Sequence, residues 1–170
     1  MATVPLAASL CGWLRMPRLL DEFDFENPEV RDGAALHRDV SPERWCVTRA
    51  DLRQLRLLVA SRVRDGRIQP TERDSFHPGD DAIGPNIYTV AQQLIKPVTR
   101  RAGGMSWALM LHADGLQCDI FVTHAWQEGV YEFIDKVQHS WPVKAMRGAA
   151  YCCMLSNPQN GDIGAMISSP

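Results

Sequence analysis

No run of apolar residues in this 170-residue chain approaches the ~20 needed to cross a bilayer, so no membrane-spanning helix is expected. An excess of one charge is missing too. Eighteen basic against twenty acidic residues leave a formal net charge of −2, which provides no overall electrostatic footprint for nucleic acid or for an anionic membrane surface. There is no Cys-x-x-Cys pair, and the five cysteines (Cys11, Cys46, Cys118, Cys152 and Cys153) are odd in number. Such usage suits a reducing compartment, hence a cytoplasmic location, and it makes Cys152 and Cys153 small buried side chains in the first instance. Neither a Gly-x-Gly-x-x-Gly nor a P-loop is present, and the pair Gly103 and Gly104 precedes no strand and helix of the kind a phosphate cradle requires. Internal repeats and low-complexity tracts are lacking. The opening MATVPLAASLCGWLRM has no basic residue ahead of its short apolar stretch, so it makes a poor secretory signal.

What is present fits one domain of ordinary size. Residues 1–47 carry proline and an acidic cluster (Asp21, Glu22, Asp24, Glu26) with only fragments of helical period, and read as a poorly structured N-terminal arm. Residues 48–65 read as an amphipathic helix. Thr48 offers an N-cap with Asp51 three residues on, Leu52, Leu55, Leu58, Val59 and Val63 share one face, and Gly66 is a stop. Its other face holds Arg49, Arg53, Arg56, Arg62 and Arg64, either a solvated basic face or a docking surface for an acidic partner. Residues 66–85, with Pro70, Pro78, Gly79, Gly84 and Pro85, read as a linker or long loop. Asn86 then caps a helix with Ile87, Val90, Ala91, Leu94 and Ile95 inward, which Pro97 ends or kinks before Gly103 and Gly104 close it. Met105 to Leu111 is apolar and ambiguous between strand and helix, and Ala113, Asp114 and Gly115 form a turn.

The most informative stretch is CDIFVTHAW, Cys118 to Trp126. Ile120, Phe121 and Val122 form an unbroken apolar run of β-formers, as expected of a strand covered on both faces. A helix follows, with Val130, Phe133, Ile134, Val137 and Trp141 on one stripe and Glu132 to Lys136 as an i,i+4 pair. A second apolar run, Ala149 to Leu155, reads as a parallel strand that ends in Asn157, Pro158 and Gln159. Ligands in such α/β folds sit at the carboxyl ends of the strands, which makes Thr123, His124, Trp126, Ser156, Asn157 and Gln159 the ligand-binding candidates. His124 suits proton transfer or a hydrogen bond to a nucleotide, Trp126 could stack on a ring, and the hydroxyls and amides could reach ribose or phosphate. Plainer roles stand beside these: His124 fixing a loop, Trp126 as a lid on the core, Thr123 as a helix N-cap, and Asn157 with Pro158 as a turn. A nucleophilic pair of Cys153 with His124 is geometrically conceivable across adjacent strands, but burial would raise the thiol pKa. Zinc on Cys152, Cys153 and His124 lacks the usual spacing and a fourth ligand, so no metal is expected. No catalytic residue is identified.

The runs DGLQCDIFVTHAW, YEFIDKVQHSW and YCCMLSNPQN together resemble the first half of a TIR-like domain, in the divergent form found in large protist and algal signalling proteins. The preceding IYTVAQQLIKPVTRRAGGMSWALM resembles the lead-in helix of that form, so the likeness spans residues 86–170. It implies a flavodoxin-like α/β fold, here a partial one: a parallel βαβ unit preceded by a helical N-terminal region. It further implies self-association or contact with other TIR-like domains, and NAD as a substrate of the enzymatic members. Their catalytic glutamate lies on a helix after the third strand; nothing here matches it, and Glu128 and Glu132 do not correspond to it. A two-stranded sheet with both edges open is the expectation, and with it association with another chain. Three functions follow: a non-catalytic TIR-like signalling or interaction module, an NAD-hydrolysing or nucleotide-binding enzyme completed by further residues or a partner, and a helical adaptor that binds an acidic partner through its Arg-rich helix.

Overall fold

A computed structural model describes residues 23–145 and 148–160. These form a mixed α/β fold in which seven short to medium helices surround a three-stranded mixed sheet. Of the expected arm, 1–47, residues 23–47 are described and are structured, and residues 1–22 lie outside the described residues. Phe25 stacks on Trp107 with ring centroids 5.2 Å apart, and helix α1 (Gly33–Asp39) starts where the Asp32 carboxylate accepts the Ala35 N–H. The segment is strapped to the turn at residues 102–105, since the Arg31 N–H donates to the Ala102 carbonyl. Gly103, at φ 107°, lies so close to the Arg31 carbonyl that no Cβ fits there.

Strand β1 (Val47–Thr48) runs straight into α2 (Arg49–Arg64), which has the capping box its sequence suggests: Thr48 Oγ1 accepts the Asp51 N–H, and the Asp51 carboxylate accepts the Thr48 N–H at 2.6 Å. Asp51 is buried and also meets His112 Nε2 at 2.7 Å, a tie across 61 positions of sequence. The basic face of α2 is largely engaged within the chain. Arg49 bonds the Gln138 side chain and carbonyl, Arg56 grips both Asp135 oxygens and covers the Tyr131 ring, and Arg62 pairs with Glu26.

After the loop at 66–85 come α3 (Ile87–Val90), a π-helical turn (Ala91–Ile95) and α4 (Lys96–Arg101). Pro97 therefore does not end the helix. It removes one backbone donor, and the wide turn immediately before it accommodates that loss. Met105 to Leu111 resolves as helix α5 (Trp107–Leu111), N-capped by Ser106. Loops 83–88 and 126–131 are joined by four backbone hydrogen bonds: Ile87 to Glu128, Tyr88 to Trp126, Val130 to Pro85 and Tyr131 to Ile83. Each loop thereby satisfies the free N–H groups at the start of the other's helix.

Strand β2 (Cys118–Val122), helix α6 (Val130–Ser140) and strand β3 (Ala149–Cys152) form the parallel βαβ unit. Three features depart from the expectations. First, β1 pairs antiparallel with β3, so the order is β1-β3-β2 and β3 is central. Second, β2 is not covered on both faces: Asp119 and Phe121 are exposed, Phe121 at 68%. Third, the second apolar run changes structure partway. The strand stops at Cys152, and Cys153–Ser156 is a helical turn, α7, because the buried Ser156 hydroxyl takes the Cys152 N–H at 2.9 Å and so ends the ladder.

Asp119 is a bulge. Cys118 faces Ala149 and Ile120 faces Ala150, which leaves Asp119 as the extra residue, and its carboxylate accepts the Ala149 N–H at 3.0 Å. Gly148 leaves room for it, since a Cβ there would come within 2.5 Å of that carboxylate and push it off the Ala149 N–H. One buried apolar cluster runs from Phe25 through Leu52, Leu55, Ile87, Trp107 and Ile134 to Leu155, so the N-terminal segment and the βαβ unit share a core. Among the described residues no helix is long and apolar enough to cross a membrane.

Candidate functional site

The loops that follow β2 and β3 bring the predicted residues into three settings. Thr123 is exposed and lines a groove of about 330 Å³ between β2 and α6, together with Ile120, Val122, Phe133, Val137 and Trp141. It caps no helix, since α6 starts seven residues later at the Gly129 N-cap. Lys136 borders this groove, held by Glu128 and Glu132 at 3.2 and 2.7 Å.

Trp126 and Gln159 meet in a second cleft, of about 250 Å³, whose other walls are Tyr88, Ala91, Gln92 and Lys96. Tyr88 and Trp126 are 44% and 38% exposed, and the bond from the Tyr88 N–H to the Trp126 carbonyl, 3.0 Å, keeps their backbones together. Gln159 is held by its own donations to the Cys153 and Asn157 carbonyls. Two aromatic faces, two amides and an ammonium are a combination suited to a planar ring carrying hydrogen-bonding edges and negative charge. Tyr88, Gln92 and Lys96 were not foreseen. The signal was present, because they stand at i, i+4 and i+8 on the helix surface opposite the apolar stripe.

His124 lies between the two cavities. Its ring stands edge-on to Trp126 and Phe133, with centroids 5.1 and 5.7 Å away, and the Cys153 sulfur is 3.5 Å from its Nδ1. Burial holds the imidazole below its usual pKa, against the opposing pull of Glu128, and burial also pushes the Cys153 thiol up. Both shifts favour a neutral thiol beside a neutral imidazole, the reverse of the thiolate and imidazolium that a nucleophilic cysteine needs. Cys152 faces the core, its thiol raised to about 12. Ser156 is fully buried on the Cys152 N–H and lines neither cavity, while Asn157 accepts the Tyr151 hydroxyl at 2.6 Å. Among the described residues no group of three or more His, Cys, Asp or Glu is gathered that could hold a metal.

A further surface, which holds none of the predicted residues, is the outer face of β2. Phe121, exposed to solvent, stacks on the half-buried Tyr151, centroids 5.4 Å apart and planes within 11°. Comparison with known proteins gives no match, whether to family profiles, curated proteins or solved structures.

Proposed function

We propose that this chain is an interaction module of TIR-like type that works by assembling with like domains through its βαβ unit. The observation that supports the reading most is the state of β2. Among the described residues its outer edge has no strand partner, and Phe121 leaves a large aromatic surface in water. In a flavodoxin-like sheet the corresponding strand is interior, with a neighbour on each side. An unpaired strand of this kind gains backbone hydrogen bonds and apolar burial when another strand arrives. Sedimentation velocity across the micromolar range tests the reading: concentration-dependent association is expected, and a chain that stays monomeric throughout, alone and with other TIR-like domains, rules it out.

A second reading, nucleotide binding with NAD as the ligand or substrate, is favoured by the cleft that unites Trp126 and Gln159 with Tyr88 and Lys96. Under this reading a ring stacks on Trp126 and Lys96 takes a phosphate. Incubation with NAD separates binding from turnover: quenching of tryptophan fluorescence that disappears in Trp126→Leu supports binding, and release of nicotinamide supports hydrolysis. Neither signal at millimolar NAD would remove it.

A further inference from the structure

We propose that β2 pairs antiparallel with the β2 of a second copy of this chain, about a two-fold axis at Phe121, to give a continuous six-stranded sheet. This inference rests on the association reading and names its partner. Three observations point to a second copy rather than to an unrelated strand.

The first is that the guards on this edge are few and lie at one end of it. Natural edge strands are kept apart by lysine, proline, a bulge, an inward-pointing charge or a covering element. The sequence CDIFV has neither lysine nor proline; its bulge and its one charge coincide at Asp119, which is bound to the Ala149 N–H, and Lys136 beside the strand is paired with Glu128 and Glu132. Ile120 to Val122 are left as a regular, uncharged pairing segment.

The second is self-complementarity. An axis at Phe121 sets Phe121 beside the partner subunit's Phe121, on the face where each already stacks on its own Tyr151. The result is one row of four rings across the interface, the kind of cross-strand aromatic pairing that stabilises antiparallel ladders. The same register sets Ile120 opposite the partner's Val122 and ends at the bulge, where the Asp119 carboxylate is already taken by the Ala149 N–H. No like charges meet.

The third is overall charge. At a net charge of −2 in 170 residues, two copies repel each other weakly.

Sedimentation equilibrium on the full chain, on Phe121→Asp, on Phe121→Lys and on their equimolar mixture tests this. Phe121 is 68% exposed, so both variants should keep the circular dichroism and melting behaviour of the parent. Each alone places like charges together at the axis and should weaken association about tenfold or more, and the mixture should restore it as a heterodimer. Association of the parent with both variants unaffected, or with no recovery in the mixture, would overturn the two-fold pairing and leave the association reading standing. A parent chain that remains monomeric and recruits no like domain would remove both.

Discussion

On one side of β3, the two residues of β1 lead into a helix whose first turn is pinned by a buried carboxylate; on the other, the five residues of β2 alternate between half-buried and exposed. The closed flank gathers Leu52, Leu55 and Val59 into the common core and uses most of the α2 arginines to hold the chain to itself. The open flank leaves the Phe121 ring in water, stacked on Tyr151, and uses the one carboxylate of β2 to fill a bulge. Stability therefore belongs to the first flank and the proposed association to the second, and substitutions should separate the two.

The largest effect is expected at Leu52, which is fully buried on the closed flank. Leu52→Ala should cost about 2–5 kcal/mol in urea unfolding without altering association of the protein that remains folded. Asp51→Ala removes the N-cap partner and leaves His112 without its carboxylate, so a loss of about 2–3 kcal/mol is expected in the same assay.

A pH titration sharpens the contrast. His37 on α1 accepts the Ser106 N–H at 3.0 Å, and burial lowers its pKa from 6.5 to about 4. Its neutral form is the folded one, so its contribution is fully present above pH 6.5, is lost as pH falls from 6.5 towards 4, and changes no further below that. The shift limits the effect to about 3 kcal/mol, and partial solvent access should reduce it to about 1–2 kcal/mol. His37→Gln should flatten the stability curve across that window relative to the parent.

On the open flank the effects on folding shrink. Asp119→Ala unfastens the bulge and should cost about 1 kcal/mol. Phe121→Ser should change stability by no more than about 0.5 kcal/mol while weakening association in sedimentation. A Phe121→Ser variant that unfolds readily would erase the distinction between the flanks.

The parts of this fold that were legible in the sequence are those with local causes. Thr48 and Asp51 announce a capping box within four residues, and the change from the CDIFV run to the 3.6-residue stripe of Val130, Phe133, Ile134 and Val137 announces strand then helix. What was not legible depends on distant partners. A two-residue β1 has no period to detect. The contact of His112 with Asp51 spans 61 positions, and Ala149 to Leu155 is apolar throughout, so nothing in it marks the point where Ser156 ends the strand. The exposure of Phe121 likewise follows from which layers pack on the sheet, not from the residue itself. The candidate site was half legible: Trp126 and Gln159 follow the two strand ends, whereas Tyr88, Gln92 and Lys96 read as an ordinary solvated helix face until the fold sets them beside Trp126.

The four backbone hydrogen bonds between loops 83–88 and 126–131 have a kinetic corollary. Because α3 and α6 each begin on carbonyls supplied by the other's loop, neither start can fray while the other stays formed. The amides of Ile87, Tyr88, Val130 and Tyr131 should therefore exchange with solvent deuterium as one cooperative unit, although they lie more than forty residues apart in two groups. Trp126 contributes its carbonyl to this unit, so its side chain stands on a segment that opens only when two helices open together.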